Sequence, residues 1–354
     1  KSVAATAIIG CILSLFVIFI GAVGLFPLLQ FLGTPSAIVA QSYLYISTIV
    51  NGVAVTFAYN LCAGLLRAVG DSLAALYFLI IAAILNILLD LYFITQLHLG
   101  VQSAGIATII AQGISALLCL LYIRKKVPFL LPHRKDFVWD KELYQDLLSQ
   151  GLAMGLMTSI VSIGTVILQS AINQLGTTII SAQVAARRIM SFAVLPITAI
   201  ASSITTFISQ NFGAEQFQRI KKGVTIANLL SWVWSVLVAA LLFFTSPSLT
   251  SFISGSTNPD LIANASLYLQ ISSCFYPILA SLIILRNALQ GMGKKLTPLT
   301  SSFIELFGKI FFVLWIIPHT GYMGVILCEP LIWIPMTLQL IIIYRKIRYQ
   351  LLTE

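Results

Sequence analysis

RAVGDSLAALYFLIIAAILNILLDLYFITQLHLGVQSAGIATIIAQ, residues 67–112, decides the fold. It consists of two apolar runs joined by a short polar turn, and each run has roughly the 20 residues a helix needs to cross a hydrocarbon layer about 30 Å thick. Inside the first run sits one carboxylate, Asp90, one helical turn after Asn86. A carboxylate placed there costs at least about 2.5 kcal/mol on insertion scales, so it marks a candidate functional site.

The rest of the chain has the same character. Of its 354 residues 59% are hydrophobic and only 9% charged, with a mean hydropathy of +0.99, whereas soluble domains carry about a quarter charged residues. The composition is that of an integral membrane protein. A net charge of +9 would suit a nucleic acid or a lipid surface, but the basic residues fall between apolar runs and so report topology. Five cysteines (Cys11, Cys62, Cys119, Cys274, Cys328) lie in apolar segments without paired spacing, which indicates small buried hydrophobes instead of a disulfide framework or zinc site. The first run, 7–32, is too long for a signal-peptide core and lacks a cleavage site.

Gly, Pro and charged punctuation divides the chain into ten predicted spans: 7–32, 42–66, 73–96, 102–124, 147–174, 180–210, 223–253, 262–288, 296–317 and 321–344. Lys1, Arg67, the 124–141 loop, Arg219 with Lys221 and Lys222, Arg286 with Lys294 and Lys295, and Arg345, Lys346 and Arg348 fall on one side. The alternate turns LGTPSAIVAQ, QLHLGVQS, QLGTTII, SGSTNPD and PHTGYM hold no Lys or Arg. By the positive-inside rule both termini are expected in the cytoplasm.

The longest connection, with Pro128 and Pro132, divides the sequence into 1–126, a 127–146 cytoplasmic linker and 147–354. The parts repeat: RAVGDS (67–72) corresponds to QGMGKK (290–295), and LGVQSAGIA (99–107) to HTGYMGVIL (319–327), so 1–126 parallels 221–349 in the same orientation. A parallel repeat with a substrate path between its halves is a known transporter plan. The spans 147–174 and 180–210 have no counterpart before Lys1, and KSVAAT reads as the middle of a loop. The expectation is a fragment missing two helices.

Candidate sites follow from side-chain chemistry. Asn86 and Asp90 share a helix face, and Thr108 lies as far after the outer turn as Asp90 lies before it, which puts the three at one depth. A carboxylate, an amide oxygen and a hydroxyl there can coordinate Na⁺ or hold a proton. The alternative is a hydrogen-bonded Asp that ties two helices together. Glu305 and Lys309 are four apart in one span, and Glu329 lies in the next helix near the depth of Lys309. A structural salt bridge is the plainer reading; the three groups sum to one excess negative charge, which would attract a cationic substrate or titrate during transport. Arg187 and Arg188 are read as snorkelling to headgroups or pairing with an acid of the second half, with direct anion binding as the alternative. Pro196, Pro277 and Pro330 should bend their helices. His98, His133 and His319 show no ligand spacing, so no metal site is expected apart from Na⁺ at Asp90.

LLRAVGDS, LNILLDLYFI followed by LGVQSAGIATIIAQ, AARRIMSFAVLPITAIASSITTFISQNFGAEQFQRIKKG and NALQGMGKK together resemble the multidrug and toxic compound extrusion (MATE) transporters. The resemblance implies a twelve-helix secondary antiporter with two pseudo-symmetric six-helix lobes. The chain would supply its last ten helices: four of the N-terminal lobe and all six of the C-terminal lobe. It implies export of organic cations or other amphipathic drugs in exchange for H⁺ or Na⁺. The family's N-lobe cation site falls on Asn86, Asp90 and Thr108. In GLAMGLMTSIV, Val161 stands where some members carry a Glu, and the family's first-helix carboxylate lies outside this chain.

The expectation is therefore an all-α, multi-pass protein of the plasma (inner) membrane, monomeric, needing no cofactor beyond the coupling ion. Its partners would be small amphipathic or cationic substrates and the bilayer, with no nucleic acid. The alternative, a lipid-linked saccharide flippase of the same broader superfamily, predicts more cavity-facing cations than Arg187, Arg188 and Lys309. A channel would need recurring polar rings, and an enzyme a nucleophile and base at matched depth; neither pattern is present.

Overall fold

The structure is a computed structural model that describes residues 1–31 and 36–353. Residues 32–35, on which the expected turn LGTPSAIVAQ falls in part, and the side chain of Arg348 lie outside the described residues. Among those described there are helices and turns and no strand. The helices are α1 (Ser2–Phe31), α2 (Ser36–Asn51), α3 (Val53–Ala68), α4 (Ser72–Thr95), α5 (Gln102–Lys126), α6 (Lys141–Asn173), α7 (Thr177–Gly213), α8 (Phe217–Ser254), α9 (Pro259–Cys274), α10 (Tyr276–Gly291), α11 (Leu296–Phe311), α12 (Ile317–Thr320) and α13 (Tyr322–Thr353). In lipid every backbone polar group must be satisfied within its own segment, which leaves the helix as the solution for such runs. Large apolar side chains accordingly point outward along the helices, for example Ile12, Phe16, Phe19 and Val23 on α1 and Phe244 and Phe252 on α8.

Among the described residues eight continuous helices are long and apolar enough to cross a membrane, and two bent pairs, each counted as one span, bring the number to ten. The expected spans 42–66 and 262–288 are each broken, by 46° between α2 and α3 and by 58° between α9 and α10. The breaks fall at Gly52 (φ −83°, ψ 0°) and Phe275 (φ −96°, ψ 0°). These positions are 223 residues apart, the same offset that relates RAVGDS to QGMGKK. The two halves reach one backbone geometry by different chemistry. At Gly52 an added Cβ would lie 2.3 Å from Ile109 of α5, so the missing side chain lets the helices touch. At Phe275 the following Pro277 has no N–H to carry the preceding helix onward. Pro196 and Pro330, with Pro335, instead lie inside helices that run on unbroken.

The chain forms two compact units, Lys1–Leu148 and Ser149–Glu354. In the first, α5 presents a ladder of mostly small residues at four-residue spacing, Ser103, Ala107, Ala111, Ser115, Cys119 and Ile123, all buried. Helices α2, α3 and α4 pack on α5, the close approach that small residues permit where no hydrophobic effect drives association. Polar bonds cross the same contacts: Thr56 donates to Gln112 Oε1 (2.6 Å) and Gln102 to Thr48 (3.2 Å). The RAVGDS turn is structural, since Gly70 takes a positive φ of 88°. Asp71 caps α4 by accepting from Ala74 N–H (3.1 Å) and also accepts from Tyr122 (2.9 Å).

In the second unit α8 buries Ser231, Ser235, Val238, Leu242, Ser246 and Thr250 along one stripe, and packs on α7, α9 and α10. The core around it contains Leu168, Ile172, Ile208, Tyr268, Leu269, Tyr276 and Ile284. Of the cysteines, Cys119 and Cys328 are buried, whereas Cys11 and Cys274 are exposed. An apolar neighbourhood in sequence says only that a residue avoids water; lipid satisfies that as well as core does.

Candidate functional site

In the first unit the structure brings Asn86 and Thr108 into contact, with Asn86 Nδ2 donating to Thr108 Oγ1 at 3.2 Å. The Thr108 hydroxyl donates in turn to Ala104 C=O at 2.8 Å. That orientation leaves oxygen lone pairs of Asn86 and Thr108 free on one helix–helix seam. Asp90, one turn from Asn86 on α4, has its Oδ1 buried with no hydrogen-bond partner among the described residues. A buried carboxylate oxygen without a partner is expensive, and a proton or a cation removes that cost. The alternative expectation, an Asp hydrogen-bonded to a neighbouring helix, is not the arrangement at Oδ1.

In the second unit Glu305, Lys309, Glu329 and Arg187 form one cluster. Lys309 Nζ lies 2.9 Å from Glu305 Oε1 and 3.4 Å from Glu329 Oε1. Arg187 Nη2 lies 3.4 Å from the same Glu329 oxygen, and Tyr268 donates to Glu329 Oε2 at 3.2 Å. The expected surplus of one negative charge is therefore not there, because Arg187, ten residues into α7 and so about 15 Å along it, joins the three groups and balances them. Lys309 is 2% exposed. Its stem reaches the acids because Gly164 of α6 leaves room, an added Cβ there lying 3.0 Å from Lys309 Cδ. Directly after Lys309 the helix widens into a π turn, Phe312–Ile316, a feature that often accompanies functional positions. Arg188, by contrast, points outward and is exposed.

A groove of about 430 Å³ opens beside this cluster, lined by α7, α10 and α13. Its walls are mostly apolar, including Met190, Val194, Leu279, Ile283 and Trp333, and its charged groups are Arg187 and Glu329. The size and lining suit a small molecule. Glu305 and Lys309, both expected near substrate, do not line it. Sequence reasoning missed Tyr268 and Gly164, since no spacing relates α6 or α9 to acids on α11 and α13.

A family model described as MatE matches residues 1–92 and 153–315. The chain is 30% identical over 293 residues to "Probable multidrug resistance protein YpnP" of Bacillus subtilis (strain 168), covering 80% of this chain and 64% of that protein. It is 24% identical over 322 residues to "Probable multidrug resistance protein YoeA" of the same organism, covering 89% and 68%. The chain thus spans about two thirds of the length of these relatives. Among solved structures, "Outward-facing conformation of a multidrug resistance MATE family transporter of the MOP superfamily" superposes with a TM-score of 0.90 at 20% identity, over all of this chain and 80% of that one.

Proposed function

The chain belongs to the MatE family of transporters, and from that premise we propose that it serves a secondary antiporter which exports amphipathic drugs, organic cations among them, in exchange for H⁺ or Na⁺. The observation that carries the ion-coupled reading is Asp90, whose Oδ1 is buried and unpartnered among the described residues, one helical turn along α4 from Asn86, which bonds Thr108. A carboxylate oxygen without a partner there is available to a proton or a cation. Ion and drug bind to alternately exposed conformations, and the ion's differential affinity for one of them drives the drug outward. Loading Asp90 neutralises it and favours the conformation that releases drug. Both termini lie on the cytoplasmic side of the plasma membrane in this reading, and no further cofactor takes part.

The test is efflux of a fluorescent amphipathic dye from vesicles carrying the protein, under separate H⁺ and Na⁺ gradients, with Asp90→Asn as the comparison. Loss of efflux under whichever gradient drives the parent supports coupling at Asp90 and identifies the ion. Undiminished gradient-driven efflux by Asp90→Asn overturns the assignment.

A further inference from the structure

We propose that Arg187 is the receptor for the anionic group of an amphipathic substrate seated in the groove lined by α7, α10 and α13. The inference rests on the export reading and narrows the class of compound this groove takes to carboxylates, sulfonates or phosphates with an apolar body.

The argument is one of unequal satisfaction. Glu329 receives three donors, Arg187, Lys309 and Tyr268, so a substrate cation approaching it would have to compete with two protein cations. Arg187 is 30% exposed and has one ion pair among the described residues, at 3.4 Å, well beyond the usual 2.7–2.9 Å of a charge-assisted bond. A guanidinium carries five N–H donors, and Arg187 Nε is buried with no acceptor. One turn earlier on the same face of α7, Gln183 Nε2 is also buried without an acceptor, its Oε1 being occupied by Tyr322 at 3.0 Å. Of these two residues Arg187 is the one that lines the groove, and among the described residues its guanidinium is short of acceptors. The four ionic groups sum to zero, so an incoming cation finds no surplus carboxylate. An incoming anion finds a guanidinium that lines the groove, is 30% exposed and holds one long ion pair among the described residues, and Val194, Leu279, Ile283 and Trp333 supply the apolar wall for its body.

The experiment uses two xanthene dyes of similar shape and opposite charge, 5-carboxyfluorescein and rhodamine 6G, with binding to the purified protein read by fluorescence polarisation. The parent is expected to bind carboxyfluorescein. Arg187→Lys, which keeps the charge and loses the fork, should weaken it by about tenfold or more and leave rhodamine 6G little changed. Glu329→Gln frees Arg187 from its competitor and should tighten carboxyfluorescein, a gain that misfolding cannot produce. Absence of carboxyfluorescein binding to the parent overturns the proposal. So does an Arg187→Lys variant that retains full affinity, or rhodamine 6G binding that is lost in Glu329→Gln. Repeating the measurement in phosphatidylcholine nanodiscs with and without phosphatidylglycerol separates the sources of the anion: displacement by phosphatidylglycerol assigns the site to a lipid headgroup, and none assigns it to a soluble substrate. Binding needs no ion gradient, so a failure here is distinguishable from a failure of coupling at Asp90.

Discussion

Replacing Lys309 with Met removes the most deeply buried charge in the second unit while keeping most of its apolar stem. Lys309 is 2% exposed and contacts Glu305 at 2.9 Å and Glu329 at 3.4 Å. Glu329 retains Arg187 and Tyr268 after the change, so its loss is partial. Glu305 is the group that suffers, because Lys309 supplies its ion pair and it is only 14% exposed. Removing one partner of a buried pair costs about 3–5 kcal/mol, whereas replacing both by uncharged groups of similar volume is close to neutral. Lys309→Met is therefore expected to lose about 3–5 kcal/mol, and Lys309→Met with Glu305→Gln to return to within about 1 kcal/mol of the parent. The measurement is reversible unfolding of the purified protein in mixed micelles against a denaturing detergent, with Glu305→Gln completing the double-mutant cycle. A double variant as unstable as Lys309→Met alone would refute the reasoning, since it would show that the unpaired Glu305 carboxylate is not the source of the loss.

Other substitutions probe single contacts. Gly164→Ala presses a methyl against Lys309 Cδ and should destabilise by about 1–3 kcal/mol, a loss that shrinks in the Lys309→Met background if the clash is with that stem. Gly52→Ala meets Ile109 and should cost a similar amount, with partial recovery when Ile109 is also cut to Ala, both read in the same unfolding assay. Tyr122→Phe removes the 2.9 Å bond to Asp71 and is expected to cost about 1 kcal/mol, while Tyr122→Ala, which also strips the ring from the Phe78 contact, should cost more; equal losses would mean the ring contributes nothing beyond its hydroxyl.

The spans were legible because bilayer thickness fixes their length and a polar turn must follow each one; Asp90 was legible because a carboxylate has no ordinary reason to be there. What stayed hidden needed contacts between distant residues. The runs 42–66 and 262–288 are apolar throughout, so nothing in their hydropathy distinguishes a straight helix from one broken at Gly52 or Phe275. Pro277 was visible as a helix breaker, but Pro196 and Pro330 look the same in sequence and interrupt nothing. Pairing of Arg187 with an acid of the second half was among the readings of the sequence, but which acid it meets stayed hidden because Arg187 and Glu329 lie 142 residues apart, and spacing relates only residues on one helix or on adjoining ones. The neighbours of Lys309 on its own helix were predictable. Gly164, which makes room for it, was not.

The difference in span between the two ion pairs has a consequence for biosynthesis. Glu305 and Lys309 lie on the same helix, so α11 can leave the ribosome already neutralised. Arg187 must enter the bilayer with α7 and wait until α13 delivers Glu329. At a synthesis rate of about 5–20 residues per second, that wait is on the order of ten seconds, during which the nascent chain carries an uncompensated guanidinium in hydrocarbon. Chains that terminate before α13 never form that pair.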